Sequence, residues 1–231
     1  MMMDIFSSFD DQNFTIFSFS PLIWILSLLP LILVQTSYWI SSSRWSNAIL
    51  FPKSFMTLQI TRTTGKNISG FTIALVSMFC MLIFINLMGL FPYVFSMTSH
   101  LTFAFSFGLP LWLSLIISGL FFNFSEVISH FLPSGAPSIL NPFLVLVETV
   151  SISVRPLTLS IRLAANMSAG HIILGLIGSY LSISFFCFSL FIIFILTMIQ
   201  IFYFVFEVGI ALIQAYIFSL LISLYSDDHP K

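Results

Sequence analysis

The chain has 231 residues, of which 58% are hydrophobic and only 6% charged, with seven Lys or Arg against eight Asp or Glu for a net charge of −1. Soluble domains carry roughly 25% charged residues, so a water-soluble enzyme is excluded, and so nearly balanced a charge lacks the basic footprint of a nucleic-acid partner. The composition predicts an all-α integral membrane protein. The Met-Met-Met opening is followed by Asp4, Asp10 and Asp11 in place of a basic targeting segment, so no import address is expected. That absence suits a chain made inside an organelle and equally a bacterial inner-membrane protein with an uncleaved first span.

In chain order, residues 21–40 form an apolar run of the ~20 residues that cross a hydrocarbon core, and predict one upright span. Residues 44–63 change character. Arg44, Lys53, Arg62 and Lys66 occur between 41 and 69 without an acid, while Trp45, Ile49, Met56 and Ile60 recur at helical spacing, which predicts an interfacial amphipathic helix. The cluster of positive charge marks the side from which insertion occurs, here the matrix, and puts the acidic N-terminus outside. Two further spans, 71–90 and 101–124, make a hairpin, the first stopping at Phe91-Pro92 because Pro cannot continue the helical ladder. A turn-rich loop is expected between Ser125 and Ile139, on the matrix side. Asn141-Pro142 then reads as an N-cap followed by Pro at the first helical position. From there helix is expected over 141–176 and, after a break at Gly178-Ser179, over 182–225. At ~1.5 Å per residue these segments measure ~54 and ~66 Å against a ~30 Å core, so both must tilt strongly or bend, with Pro156 the obvious kink site. One membrane domain covers 1–231, with its C-terminus in the matrix.

The informative residues are the ionisable ones on the two long helices, since a charge at mid-membrane costs roughly 2.5–3.5 kcal/mol on an insertion scale. Glu148, Arg155 and Arg162 are spaced by seven, which returns a helical side chain to within ~20° of its starting direction. Gln200, Glu207 and Gln214 repeat the interval on the last helix. Each long helix therefore offers a polar seam. One reading is a structural ion pair, Glu148 with Arg155, holding two helices in register. The other is a chain of protonatable groups, Glu148, Glu207 and His171 with Asn166 nearby, in which Arg162 is a fixed charge that cannot exchange its proton.

The run Ser160-Ile-Arg162-Leu-Ala-Ala-Asn166-Met-Ser-Ala-Gly170-His171 resembles the signature of the subunit a family of F-type ATP synthases. Asn86-Leu-Met-Gly-Leu-Phe-Pro-Tyr93, Pro110-Leu-Trp112, His130-Phe-Leu-Pro133, Glu148-Thr-Val-Ser and Glu207-Val-Gly-Ile-Ala-Leu-Ile-Gln214-Ala-Tyr216 extend the resemblance along the chain. His171 and the short chain resemble the mitochondrial branch. The resemblance implies a multi-pass subunit of the mitochondrial inner membrane, its N-terminus in the intermembrane space, that stands against a rotating c-ring beside subunit b and other membrane-sector subunits. It implies two proton half-channels in the lipid bilayer, with Arg162 as the essential arginine facing the ring carboxylate. Glu207 and His171 match positions on the path from the outer side, with Asn86 and Gln214 as polar contributors. Glu148 and Asp228 match positions near the matrix outlet, with Asn166 nearby, and Arg155 is a modulating or structural charge. No cofactor is expected, and no glycine-rich phosphate loop of the Walker type is present, so the chain is not expected to make ATP alone. Rival membrane classes fit less well. A haem or haem-copper subunit needs several intramembrane His, and only His171 is placed deep. Quinone-linked pumps and antiporters centre broken helices on intramembrane Lys, and the spans here hold none. A pure scaffold leaves Arg162 without a reason.

Overall fold

The computed structural model describes residues 9, 24–25, 27–28, 44–91, 94–131, 140–187 and 190–229. Six α-helices are bounded among them, and no strand: α1 Arg44–Ile60, α2 Phe71–Gly89, α3 Leu101–Phe122, α4 Phe124–His130, α5 Asn141–Cys187 and α6 Leu190–Tyr225. The chain is thus all-α, and α2, α3, α5 and α6 are long and apolar enough to cross a membrane. The expected span over 21–40 lies outside the described residues except for Trp24, Ile25, Ser27 and Leu28, which are helical.

Three expectations are corrected. The break at Gly178-Ser179 is absent, because α5 continues to Cys187. A lone Gly costs a helix only about 1 kcal/mol, and the hydroxyls of Ser179 and Ser182 donate back to the carbonyls of Leu176 and Ser179. The helix therefore has 47 residues and α6 has 36, or ~70 and ~54 Å, both well beyond a ~30 Å core. The expected loop from Ser125 begins instead with α4, which starts one residue after Asn123 leaves α3 in an extended conformation, φ −153°. Ser125 and Glu126 each exchange a side-chain hydrogen bond with Asn123 there; residues 132–139 lie outside the described set. Finally, Asn141 is the first residue of α5 and not its cap. Its Oδ1 meets no partner among the described residues, and the Leu140 carbonyl accepts the first helical bond, from Leu144 N–H at 3.0 Å.

The principal core lies where α1, α2, α3, α5 and α6 meet, built on Met56, Leu75, Ala104, Leu163, Ala215 and Phe218. Small residues set its spacing. A Cβ at Gly108 of α3 would stand 3.5 Å from Leu159 and 3.8 Å from the Pro156 carbonyl of α5, so the two backbones approach as small residues allow in apolar surroundings. Within the helices, Ser77, Ser106 and Ser160 satisfy their hydroxyls on carbonyls three or four residues back, which removes the penalty of a bare hydroxyl in an apolar setting. In α1, Met56 and Ile60 are fully buried against α2 while Arg44 and Lys53 are exposed, the amphipathic division read from the spacing. Leu75→Ala is expected to lower stability by about 2–5 kcal/mol, while Ile73→Ala, at a position 75% exposed, should change it by less than about 0.5 kcal/mol. Thermal unfolding in detergent micelles checks both.

Candidate functional site

Three polar residues from three helices surround one small apolar cluster, Leu90, Met167 and Ala211. Asn86 lies one turn before Leu90, His171 one turn after Met167, and Glu207 one turn before Ala211, so the cluster holds all three near one level. Asn86 is fully buried, and its Nδ2 donates to the Ala211 carbonyl at 3.3 Å, tying α2 to α6. Glu207 is 2% exposed. Its carboxylate packs so closely on α5 that a Cβ at Gly170 would overlap it, with Oε1 only 2.6 Å away. His171 places Nε2 3.9 Å from where a Cβ of Gly89 would stand, and its ring meets the edge of Phe9 at 6.2 Å. Three buried atoms here, Asn86 Oδ1, His171 Nε2 and Glu207 Oε2, have no hydrogen-bond partner among the described residues. Buried polar groups rarely stay unsatisfied, so these three atoms are where water or another hydrogen-bonding partner would be held.

From Glu207 a groove runs between α5 and α6 to Arg162. On α5 it is lined by Arg162, Asn166 and Ala169, and on α6 by Tyr203, Phe206, Ile210, Ile213 and Gln214, each set at the three- and four-residue steps of one helical face. Asn166 Nδ2 donates to Gln214 Oε1 at 2.9 Å, and Gln214 is 3% exposed. Arg162 is exposed on the open side and makes no hydrogen bond or ion pair within the described residues.

Glu148 and Arg155 lie elsewhere. They line a separate cavity with Trp112, Ile116, Ile152, Tyr225 and His229, and no residue is common to it and the groove. Arg155 Nη2 is 3.9 Å from Glu148 Oε1, and its guanidinium lies over the Tyr225 ring at 5.2 Å. The pair joins two turns of α5, so it does not hold two helices in register as the structural reading supposed. At 32% and 40% side-chain exposure it is worth about 0–1 kcal/mol. Pro156 removes the N–H that would have bonded the Ile152 carbonyl, and Ile152 is itself a lining residue. Along the two helices the cavity's lining ends at Arg155 and Tyr225 and the groove's at Arg162 and Ile217; Leu159, Phe218 and Ile222 fall between those ends, none more than 3% exposed.

The structure thus brings Asn86, His171 and Glu207 together, and Arg162 with Asn166 and Gln214, while it sets Glu148 and Arg155 apart. Asp228 ends the short turn Ser226–Asp228, and its side chain lies outside the described set. Sequence reasoning missed Gly170 and Tyr203 in the groove, and Tyr225 and His229 in the cavity. Gly170 stood inside the signature run, and Tyr203 lies one turn from Glu207, so both were within reach of helical spacing. Among the described residues no group of three His, Cys, Asp or Glu could hold a metal ion.

The chain matches the ATP synthase A chain family over residues 15–227. It is 41% identical over 239 aligned positions to ATP synthase subunit a of Drosophila melanogaster, 40% over 234 to that of Locusta migratoria, and 39% over 235 to that of Aedes aegypti, in each case across 99% of both chains.

Proposed function

Because the chain belongs to the ATP synthase A chain family, we propose that it is the proton-translocating stator of a mitochondrial inner-membrane ATP synthase. It carries no catalytic step; its task is to let protons reach and leave a c-ring of mid-membrane carboxylates without crossing directly. The observation that carries this reading is that no residue lines both cavities, the lining of one ending at Arg155 and Tyr225 and that of the other at Arg162 and Ile217, with the buried Leu159, Phe218 and Ile222 between those ends. Protons from the intermembrane space reach Asn86, His171 and Glu207, pass along the groove by Asn166 and Gln214, and neutralise a ring carboxylate there. The ring carries them round the apolar layer to the side of Glu148 and Asp228, which opens to the matrix. Arg162 attracts each returning carboxylate and holds it ionised, so that the unloaded site passes and no proton does. The ~2.3 kcal/mol per charge per 100 mV of membrane potential then biases rotation. The long α5 and α6 lie strongly tilted along the ring, and the apolar flanks of α5 and α6 meet lipid, subunit b and the other membrane-sector subunits.

Cysteine cross-linking tests the orientation. Ala169→Cys and Ile213→Cys, both in the groove, are expected to form a disulfide with a cysteine placed beside the ring carboxylate. Leu174→Cys, on the face of α5 turned to the Leu90 cluster, is expected to form none. Cross-linking from position 174 with none from the groove would overturn the proposed facing.

A further inference from the structure

We propose that Thr98 and His100 line a water-holding antechamber that joins the cluster of Asn86, His171 and Glu207 to the intermembrane space; this rests on the proposed role of that cluster in proton uptake. The two residues belong to the connection between α2 and α3, whose turn Met97–Ser99 packs against α2, α3 and α5. With α1 on the matrix side, α2 runs outward and this connection lies at the intermembrane-space end. The turn also reaches the cluster. A Cβ on Gly89 would stand 3.6 Å from Ser96 and 3.9 Å from His171 Nε2, so the chain entering the turn passes beside that imidazole.

Thr98 is fully buried, yet its hydroxyl has no hydrogen-bond partner among the described residues, and neither does the buried Nε2 of His100. Their neighbours differ. The Ser96 and Ser99 hydroxyls bond each other at 2.9 Å, and Ser99 Oγ donates to the Ser96 carbonyl at 2.6 Å. His100 is not free to swing toward a partner, because its ring stacks on Phe95 at 5.0 Å and meets Trp24 at 5.3 Å. With Asn86, His171 and Glu207, the two residues supply five of the six unpartnered buried side-chain atoms among the described residues; the sixth, on Asn141, lies at the start of α5. Buried polar groups are rarely left unpaired, and a buried water is held by about two to four of them. Water both donates and accepts, so it serves a hydroxyl, an amide oxygen, an imidazole nitrogen and a carboxylate alike, whatever proton each holds. A file of water past Thr98 and His100 to His171 satisfies all five atoms.

The test uses the assembled complex in proteoliposomes with the soluble head outward, so that the uptake side faces the lumen. A thiol reacts as its thiolate, which forms in water and not in a dry core. A small charged thiosulfonate enclosed in the lumen is therefore expected to label Thr98→Cys and His171→Cys, each combined with Cys187→Ser, and to leave Cys80 of the principal core untouched. In ATP-driven pumping, Thr98→Val and His100→Phe keep the bulk but lose the polar atom. Both are expected to run about two- to tenfold slower, the rate equivalent of one net hydrogen bond, and Thr98→Ser at the wild-type rate. Labelling at position 171 but not at 98, or wild-type pumping by Thr98→Val, overturns the antechamber and leaves the uptake cluster standing. Thr98→Ser as slow as Thr98→Val also overturns it, since the residue would then serve packing alone. Labelling at neither position would remove the uptake reading beneath both.

Discussion

Arg162→Ala in the reconstituted complex is expected to cut ATP-driven proton pumping by roughly a hundredfold, and to raise passive proton leak once the soluble head is stripped. The magnitude follows from the charge. An uncompensated ion at mid-membrane costs roughly 2.5–3.5 kcal/mol, and each 1.36 kcal/mol is tenfold in rate. In the proposed function the guanidinium is the partner of each unloaded ring carboxylate, so without it the carboxylate would keep its proton and rotation would lose its bias. Arg162 is suited to that partner role because it is exposed on the groove and makes no hydrogen bond or ion pair within the described residues. Arg162→Lys keeps the charge but loses the planar fork and the very high pKa, so it should restore only part of the pumping. Undiminished pumping by Arg162→Ala would sink the fixed-charge mechanism. Lost pumping without added leak would keep the ring partner and remove the barrier role.

Much of this site was legible before any coordinates. The interval of seven puts Gln214 on the seam of Glu207, whereas the resemblance sets Asn166 near the matrix outlet; the structure joins the two amides at 2.9 Å in the groove beside Arg162. The stripe of sevens misled in one respect. Glu148, Arg155 and Arg162 share a direction to within ~20° per step, yet direction alone does not say whether the neighbouring helices leave one continuous space. Here Leu159, Phe218 and Ile222, all of the principal core, fall between the two linings, and only the coordinates show that no residue lines both spaces. The continuation of α5 through Gly178 escaped for a related reason. A glycine's helix penalty is small enough for ordinary local hydrogen bonds to offset, so a Gly-Ser pair marks a possible stop and not a necessary one. Contacts across 163 residues, such as Thr64 with Asp227, leave no periodic signal in a sequence at all.

Gly170→Ala is expected to reproduce the pumping defect of Glu207→Gln without removing an ionisable group. The new Cβ would fall on the Glu207 carboxylate, the far end of a flexible side chain, so the carboxylate moves and the helices stay. Overpacking of this kind costs about 1–3 kcal/mol, too little to prevent assembly when the α5–α6 seam also holds Met167, Ala211 and the Asn166–Gln214 bond. Glu207→Gln keeps the shape but cannot carry a proton, and should slow pumping by at least about tenfold. If Gly170 acts only by seating that carboxylate, the double variant Gly170→Ala, Glu207→Gln should pump no more slowly than Glu207→Gln alone, because neighbouring residues with one shared task are not additive. Additive defects would mean that Gly170 serves the helix packing on its own account. Wild-type pumping by Gly170→Ala would mean that the carboxylate works equally well away from the seat it occupies against α5, and that the buried cluster with Asn86 and His171 is not the place where protons are taken up.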